Sequence, residues 1–436
     1  MKENSAFFNA FAITNQEFND LAIATKFKTR FRRLQAFDFI FCLLHTCSNN
    51  LMSYNNMALK LGSEGCKSVS KQTLHKAMTK KRFLLFIRII FKKLLVAKLK
   101  NNRDTSLWKH AIFKRILVQD GTVVKLPKKL FSIYSGVANQ FSQVANARIQ
   151  YAFDLLNEEI VYFSIDSYSR NDISKAKCLQ IKEGDLVLRG RGYFSYAEVT
   201  RLSSLKADFI YRYKNGVTYL DIITGKPIAL LAMLKLNSSL DIKVRLMDEN
   251  GPVIRLVANA VNEELANRRC QKLKKEAKFK PGEENLALFS WSIFITSIQE
   301  EKMNYKELYQ LYSLRWRVEI LFKSLKSNLS LDNIHNVSNN QLIFMIYAKL
   351  IMHVLIINFV YLPVRLIIKR KYNKELSILK LTAYLCERAG RIIEIIYELC
   401  NYEVTDEKIK LLSRYCCYEK RKRKNYDQFA QEIFLS

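Results

Sequence analysis

The chain has 436 residues, with 71 Lys and Arg against 40 Asp and Glu, a formal charge of +31; 49% of it is hydrophobic, with only 12 Gly and 5 Pro. So apolar a composition, with so little Gly and Pro, excludes a disordered, collagen-like or low-complexity chain. The length suffices for two or three domains with real cores, and the charge predicts a polyanionic partner, either nucleic acid or an anionic membrane.

In chain order, the N-terminus (MKENSAFFNAFAITNQEF) lacks an apolar core and a small-residue cleavage site, so no secretory leader is expected. Residues 1 to about 105 read as helical. Within them SYNNMALKLGSEGCKSVSKQTLHKAM (53–78) has the rhythm of a helix-turn-helix. Asn55–Leu61 forms a first helix, Gly62 and Gly65 permit the turn, and Ser70 caps a second helix bearing Lys71, Gln72, Thr73, His75 and Lys76. Those side chains suit phosphates and base edges, although any short helical hairpin in a basic protein looks alike. Phe83–Lys98, interrupted by Arg88, Lys92 and Lys93, reads as a basic amphipathic helix rather than a membrane span.

From Arg115 the texture turns to strands. RILVQD is a buried strand running into a Gly121-Thr122 turn. ARIQYAFDLL and IVYFSIDS form a hairpin about Asn157–Glu159, SKAKCLQIKEG is a short helix, and DLVLRG is another buried strand. YAEVTRLSSLK is a helix and DFIYRYK a strand, an order that suggests a mixed sheet flanked by helices. A second strand-rich block runs from about 216 to 260, with a hairpin at Asp248–Gly251. A basic helix capped by Asn262 follows, and the sheet resumes at LFSWSIFITS (288–297).

Beyond Asn304 the chain reads as helical. Leu342–Ile368 carries Lys349, His353, Asn358, Pro363 and Arg365 and never reaches the roughly 18 uninterrupted apolar residues of a span, so a buried core helix is expected. The tail EKRKRKN (419–425) reads as a solvated basic run. Nine cysteines without a CxxC pair suit a reducing cytosol and argue against a disulfide framework or zinc site. Nucleic acid therefore survives as the expected partner, and the cytoplasm as the expected place.

The most specific stretch is LYSLRWRVEILFKSLKSNL (311–329). Leu311, Leu314, Val318, Leu321 and Leu325 define a core-facing stripe. Tyr312, Arg315, Glu319, Lys323 and Lys326 form a second one, of which 312, 315, 319 and 326 fall within about 60° on a helix. One carboxylate, expected to be buried, then stands among a phenol, a guanidinium and two amines. That set suits a divalent metal on Glu319 with DNA phosphates on the bases; it equally suits a salt-bridged exposed helix face.

Tyr312-x2-Arg315-x3-Glu319-x6-Lys326 resembles the signature of DDE transposases of the insertion sequence 4 family. VQDGT (118–122) resembles that family's first motif, GDLVLRGRGYFS (184–195) its second, and WSIFITS (291–297) the strand before its catalytic helix. The resemblance runs from about Arg115 to Asn333. It implies a ribonuclease H-like α/β core, in which Asp120 ends the first strand, and cut-and-paste transposition of double-stranded DNA. It also implies a homodimer synapsing terminal inverted repeats before transfer into target DNA. Two Mg²⁺ or Mn²⁺ ions on an Asp-Asp-Glu triad are implied as well, with Asp120 bridging them and Glu319 holding one. Tyr193, Tyr312, Arg315 and Lys326 are implied DNA contacts, with Lys323, Arg148 and the Arg268–Lys275 helix as further phosphate candidates. Trp291 matches a tryptophan that stacks on a flipped base, or it fills the core between sheet and insertion.

The second motif departs from the family: Gly190 stands where the second metal-binding Asp belongs. Asp185 is about 16–17 Å back along the strand, while Asp166, Asp172 and Glu198 would need unusual loop paths. Two carboxylates instead of three predict impaired cleavage, with a catalytically inactive, transposase-derived DNA-binding protein as the alternative. The expected architecture is a helical DNA-binding region (1–105), a ribonuclease H-like core (106–335) with a β-rich insertion at about 216–285, and a helical, dimerising C-terminal region (336–436).

Overall fold

The computed structural model describes residues 13–31, 33–47, 52–63, 67–96, 112–138, 143–169, 172–276, 281–332, 334, 337–387, 395, 398–399 and 404–419. Helices come first: α1 (Asn15–Ala24), α2 (Ala36–Cys47), α3 (Tyr54–Ser63), α4 (Lys71–Met78) and α5 (Lys81–Val96). Local capping sets their starts. Thr14 and Glu17 form a capping box on α1, and the Ser70 hydroxyl accepts from the Thr73 amide on α4. Helix α3 runs on through Gly62, which is therefore not in the turn; Gly65 lies outside the described residues. Helix α5 is amphipathic as expected, with Phe83, Phe86, Ile87, Ile90 and Leu94 inside and Arg88, Lys92 and Lys93 outside.

Strands β1 (Arg115–Leu126), β2 (Ser135–Ala138), β3 (Gln143–Asp154) and β4 (Glu159–Ser167) lead into a short helix, α6 (Asp172–Ala176), less than half the length expected there. Then come β5 (Asp185–Arg189), α7 (Tyr196–Ser204), β6 (Asp208–Arg212), β7 (Tyr219–Asp221), α8 (Leu230–Leu236), β8 (Ser239–Leu246) and β9 (Val253–Ala260). Helices α9 (Glu263–Glu276) and α10 (Glu283–Ala287) separate these from β10 (Trp291–Thr296). All ten strands share one sheet, ordered β2-β3-β1-β5-β6-β10-β9-β8-β7 with β4 also on β3. Pairs β1–β5 and β5–β6 are parallel and the others antiparallel. An antiparallel β1–β3–β4 unit continued by parallel strands, with helices on both faces, is the ribonuclease H-like α/β arrangement expected.

Two expectations change. The chain does not turn at Gly121-Thr122, because β3 is long enough to pair Gly121 with Gln150, Thr122 with Ile149 and Val124 with Ala147. Asp120 therefore sits inside a strand rather than at its end. It is the first residue past the parallel ladder to β5, whose last pair is Gln119 with Arg189. The strands of the 216–260 block join the core sheet: β9 pairs with β10 from Ala260–Trp291 to Arg255–Thr296.

Alternation along the strands splits the core in two. Ile116 and Val118 face the larger core, shared with the N-terminal helices and with the described helices after β10; Leu117 and Val187 face the smaller one, with α6, α7 and α8. On the larger side lie α11 (Tyr305–Ser313), α12 (Trp316–Lys323), α13 (Asn339–Leu355), α14 (Leu362–Tyr372), α15 (Ile378–Cys386) and α16 (Asp406–Tyr415).

Helices α13 and α14 form one rod, Asn339–Tyr372, long and apolar enough to cross a membrane by length and composition; its most apolar window has a mean hydropathy of 2.1, and 94% of that window is buried inside the protein. Its middle, Ile356–Tyr361, widens to a π-helix just before Pro363, whose missing N–H and ring crowd the turn behind it. Phe83 and Phe91 of α5 pack on Phe344 and Tyr347 at 5.7 and 5.5 Å. Buried Lys349 donates to the Cys47 carbonyl at the end of α2 (3.1 Å) and to that of Leu329. The N-terminal and C-terminal helices thus form one layer over one face of the sheet.

Candidate active site

The site is built where α11 and α12 cross the middle of β1 and the end of β5. The apolar stripe of 311–329 is buried as expected, with Leu311, Leu314, Val318, Leu321 and Leu325 at most 1% exposed. The segment is not one regular helix. It breaks at Leu314–Arg315 and ends in a π-helix, Ser324–Asn328, an irregularity often found at functional sites. Three side chains staple it to the strands. Tyr312 donates its hydroxyl to the Arg189 carbonyl at the end of β5 (3.3 Å), and Lys326 donates to the Val123 carbonyl of β1 (2.9 Å). Between them Arg315 gives Nη1 to Asp120 Oδ2 at 2.7 Å and Nη2 to Glu319 Oε1 at 2.5 Å. The second oxygen of Asp120 accepts from the Gly121 amide at 2.8 Å.

The electrostatics follow from burial. Desolvation raises the Asp120 carboxyl above its ordinary value, opposed by Arg315, while Glu319 adds a like charge. Burial pulls the Arg315 guanidinium down, but Tyr312, Asp120 and Glu319 hold it firmly protonated. Glu319 is not buried as expected: its side chain is 54% exposed against 26% for Asp120 and 20% for Arg315. The site opens to solvent on the Glu319 side because the next turn of α12 leaves that face uncovered.

Residues 112–355, more than half of the chain, match the transposase DDE domain family, a span that contains Asp120, Gly190 and Glu319. The chain belongs to that family. Its relatives include the transposase for insertion sequence element IS231B of Bacillus thuringiensis subsp. berliner, 24% identical over 422 residues, 91% of this chain and 86% of the relative. The IS231F transposase of Bacillus thuringiensis subsp. israelensis is 25% identical over 370 residues, covering 79% and 76% of the two chains. The IS1151 transposase of Clostridium perfringens is 24% identical over 448 residues, covering 96% and 93%. The protein is thus an enzyme of the insertion-sequence transposase class, which acts on DNA, and its DDE domain implies use of a divalent metal.

Does the transposase site fit such a metal? Asp120 and Glu319 supply hard oxygens on either side of one cation, a donor pair that suits a divalent ion sharing the rest of its shell with water and phosphate. A third carboxylate does not join them: among the described residues no three His, Cys, Asp or Glu side chains converge. Gly190 has ordinary extended backbone (φ −73°, ψ 165°), and a Cβ there would meet nothing within 4 Å. Leu186 and Leu188 belong to the same core as Val118, so the alternation aims position 190 toward the Asp120 face.

The other carboxylates are engaged elsewhere. Asp185 is taken by Arg115 (2.9 Å) at the far end of β5, Asp166 by Lys175 (2.7 Å), and Glu198 by Arg189 and Arg201. Asp172 comes nearer than its loop suggested, about 3 Å from where Cβ atoms on Gly121 and Gly192 would lie (3.2 and 3.1 Å). It stands on the opposite face of β1, beside Gln150 (2.7 Å), whereas Asp120 pairs with Tyr151, whose ring packs on Phe322 of α12 at 5.7 Å. Arg148 is bound to Asp172 at 2.6 Å and is not a free phosphate donor.

Of the implied DNA contacts, Lys323 is exposed, and so are Lys71 and Gln72, which open α4 beside a groove lined by Lys28, Arg30, Arg33, Ser70 and Thr73. Tyr193 is a correction. It is 1% exposed and donates to Gln150, because the 3₁₀ turn Arg191–Tyr193 folds it under β1. Tyr312, at 7%, is likewise inside. Trp291 lies half-buried in a cleft with Arg191, Arg212, Arg269 and Tyr213, and its buried indole N–H has no hydrogen-bond partner. Arg269 of the basic helix holds this strand, donating to the Trp291 carbonyl (3.3 Å) and the Ser292 hydroxyl (3.1 Å). Nothing in the spacing of Arg191 and Arg212 marks them in the sequence, since β6, the 3₁₀ turn Arg191–Tyr193 and α9 meet only through the sheet.

Proposed function

We propose that the protein is a cut-and-paste DNA transposase that binds the terminal inverted repeats of its element, as a homodimer, and cuts and transfers DNA strands with Mg²⁺ or Mn²⁺. The observation that carries this reading is the meeting of Asp120 and Glu319 on one guanidinium, although they stand 199 positions apart in sequence (319 − 120). Asp120 and Glu319 are the residues that would hold the metal; when bound, it supplies positive charge beside the attacking and leaving oxygens of a phosphodiester. Asp120 is fixed by the β1–β3 ladder and the Gly121 amide. Glu319 faces solvent, where a DNA strand enters. Arg315 and Lys323 present cations to its phosphates, and Trp291, with Arg191, Arg212 and Arg269 around it, offers a flat face and charge to a displaced base. Exposed Lys71 and Gln72 on α4 suit the reading of a repeat, and the cytoplasm, on the nucleoid, is where such an enzyme meets its target.

A second reading is favoured by Gly190: with no ligand atom at the second triad position, the chain binds element ends without cutting them. One assay separates the two. Metal-dependent nicking of a duplex carrying the element's own ends, lost in Asp120→Ala, establishes the active enzyme. Retained binding of that duplex without nicking at any Mn²⁺ concentration establishes the inactive one.

A further inference from the structure

Arg315 sits where a cation belongs. One guanidinium lies 2.7 Å from Asp120 and 2.5 Å from Glu319, offsetting part of their negative charge and filling the gap between them. Its seat is incomplete, since the buried Nε–H has no hydrogen-bond partner and a guanidinium has five N–H groups to satisfy. The side chain is still 20% exposed, so an anion from outside can reach it. Beneath it the Tyr312 ring, 5.8 Å from the guanidinium carbon, is anchored by its own hydroxyl to Arg189 and offers a fixed face over which the cation can swing. A phosphodiester presents paired oxygens that match the guanidinium fork. A divalent ion and a guanidinium compete for the same two carboxylates at contact distance, because the two cations repel.

We propose that Arg315 is a resident counter-cation that keeps the Asp120–Glu319 pair closed, and that a DNA phosphate, by drawing the guanidinium away, opens the pair to a divalent metal. This rests on the reading of Asp120 and Glu319 as the metal-holding pair. Its consequence is that DNA and metal bind with positive coupling, each tightening the other by the same factor. A brace that merely orients the carboxylates has the opposite signature, since removing it loosens the pair and weakens metal binding.

The test is Mn²⁺ binding to the full-length chain without DNA, read from the electron paramagnetic resonance of free Mn²⁺. Wild type is compared with Arg315→Gln, Arg315→Lys and Lys323→Gln. Arg315→Gln is expected to bind Mn²⁺ about tenfold tighter than wild type. Lys323→Gln, which removes one charge a turn away from Glu319, changes affinity far less, and Arg315→Lys falls between. A random-sequence duplex tightens Mn²⁺ binding in wild type, after subtraction of Mn²⁺ held by the duplex alone, and not in Arg315→Gln. Equal or weaker binding in Arg315→Gln, with saturable binding in wild type, overturns the counter-cation and leaves the metal pair standing. No saturable binding in any chain overturns the metal pair and the counter-cation with it. If Arg315→Gln does not fold, phenylglyoxal labelling of Arg315 in wild type decides: labelling rises when Mn²⁺ is added, and unchanged labelling overturns the displacement.

Discussion

Gly190 is the residue at which chemistry and stability separate. Its backbone is extended and the space beside it is open, so nothing in the fold requires glycine there; only the missing carboxylate matters. Gly190→Asp is therefore expected to fold with a melting temperature close to wild type and to bind Mn²⁺ about 10–100-fold tighter, the range that even outer partners of a metal command. Isothermal titration with Mn²⁺ checks it, and unchanged affinity would place the aspartate away from the pair. The sequence made Gly190 conspicuous by its motif, yet it could not show the open space. Nor could it show that Asp172 lies across the sheet from Asp120. Period-two alternation decides the face of a strand residue, but a loop residue's face depends on where the loop returns.

Among the elements, the rod Asn339–Tyr372 shows how far pattern reaches. Its apolar run and interrupting polar residues marked a core helix, and 94% of its most apolar window is buried. What each polar residue does was hidden: Lys349 closes carbonyls of α2 and of the chain after α12, and Arg365 pairs with Glu158 at 2.7 Å. His353 is different. Fully buried, with both ring nitrogens lacking hydrogen-bond partners, it is pushed down from 6.5 to about 3 by burial and by Arg317. Because the folded value lies below the unfolded one, the neutral imidazole's contribution is complete above about 6.5 and is lost as pH falls toward 3. His353→Leu is thus expected to flatten the acid limb of stability against pH by roughly a few kcal/mol, measured by urea unfolding between neutral and acid pH. An acid limb as steep as wild type would mean that His353 is not the group responsible. The strand β1 is the counter-example: its Gly-Thr pair looked like a turn, and only the length of β3 shows that it is not.

At the scale of the molecule, a charge of +31 on 436 residues sets the physics of association. If six to ten phosphates are contacted, affinity for duplex DNA should fall by about 10³–10⁵ between roughly 50 and 200 mM salt, in Gly190→Asp and wild type alike, since the field is spread over the surface. Filter binding across that range checks it; a fall below about tenfold would mean that few of those cations meet DNA. The sequence by itself determined the class of the partner, the order of strands and helices, the motif that names the family, and the absent carboxylate. These depend on composition and on neighbours along the chain. The tertiary structure alone decided that Asp120 and Glu319 share Arg315, that Tyr312 and Lys326 hold strand carbonyls, that Tyr193 lies inside, and that the inserted strands extend the main sheet. Each of those is a meeting of segments far apart in sequence, fixed by register and packing, and no local pattern encodes where such segments meet.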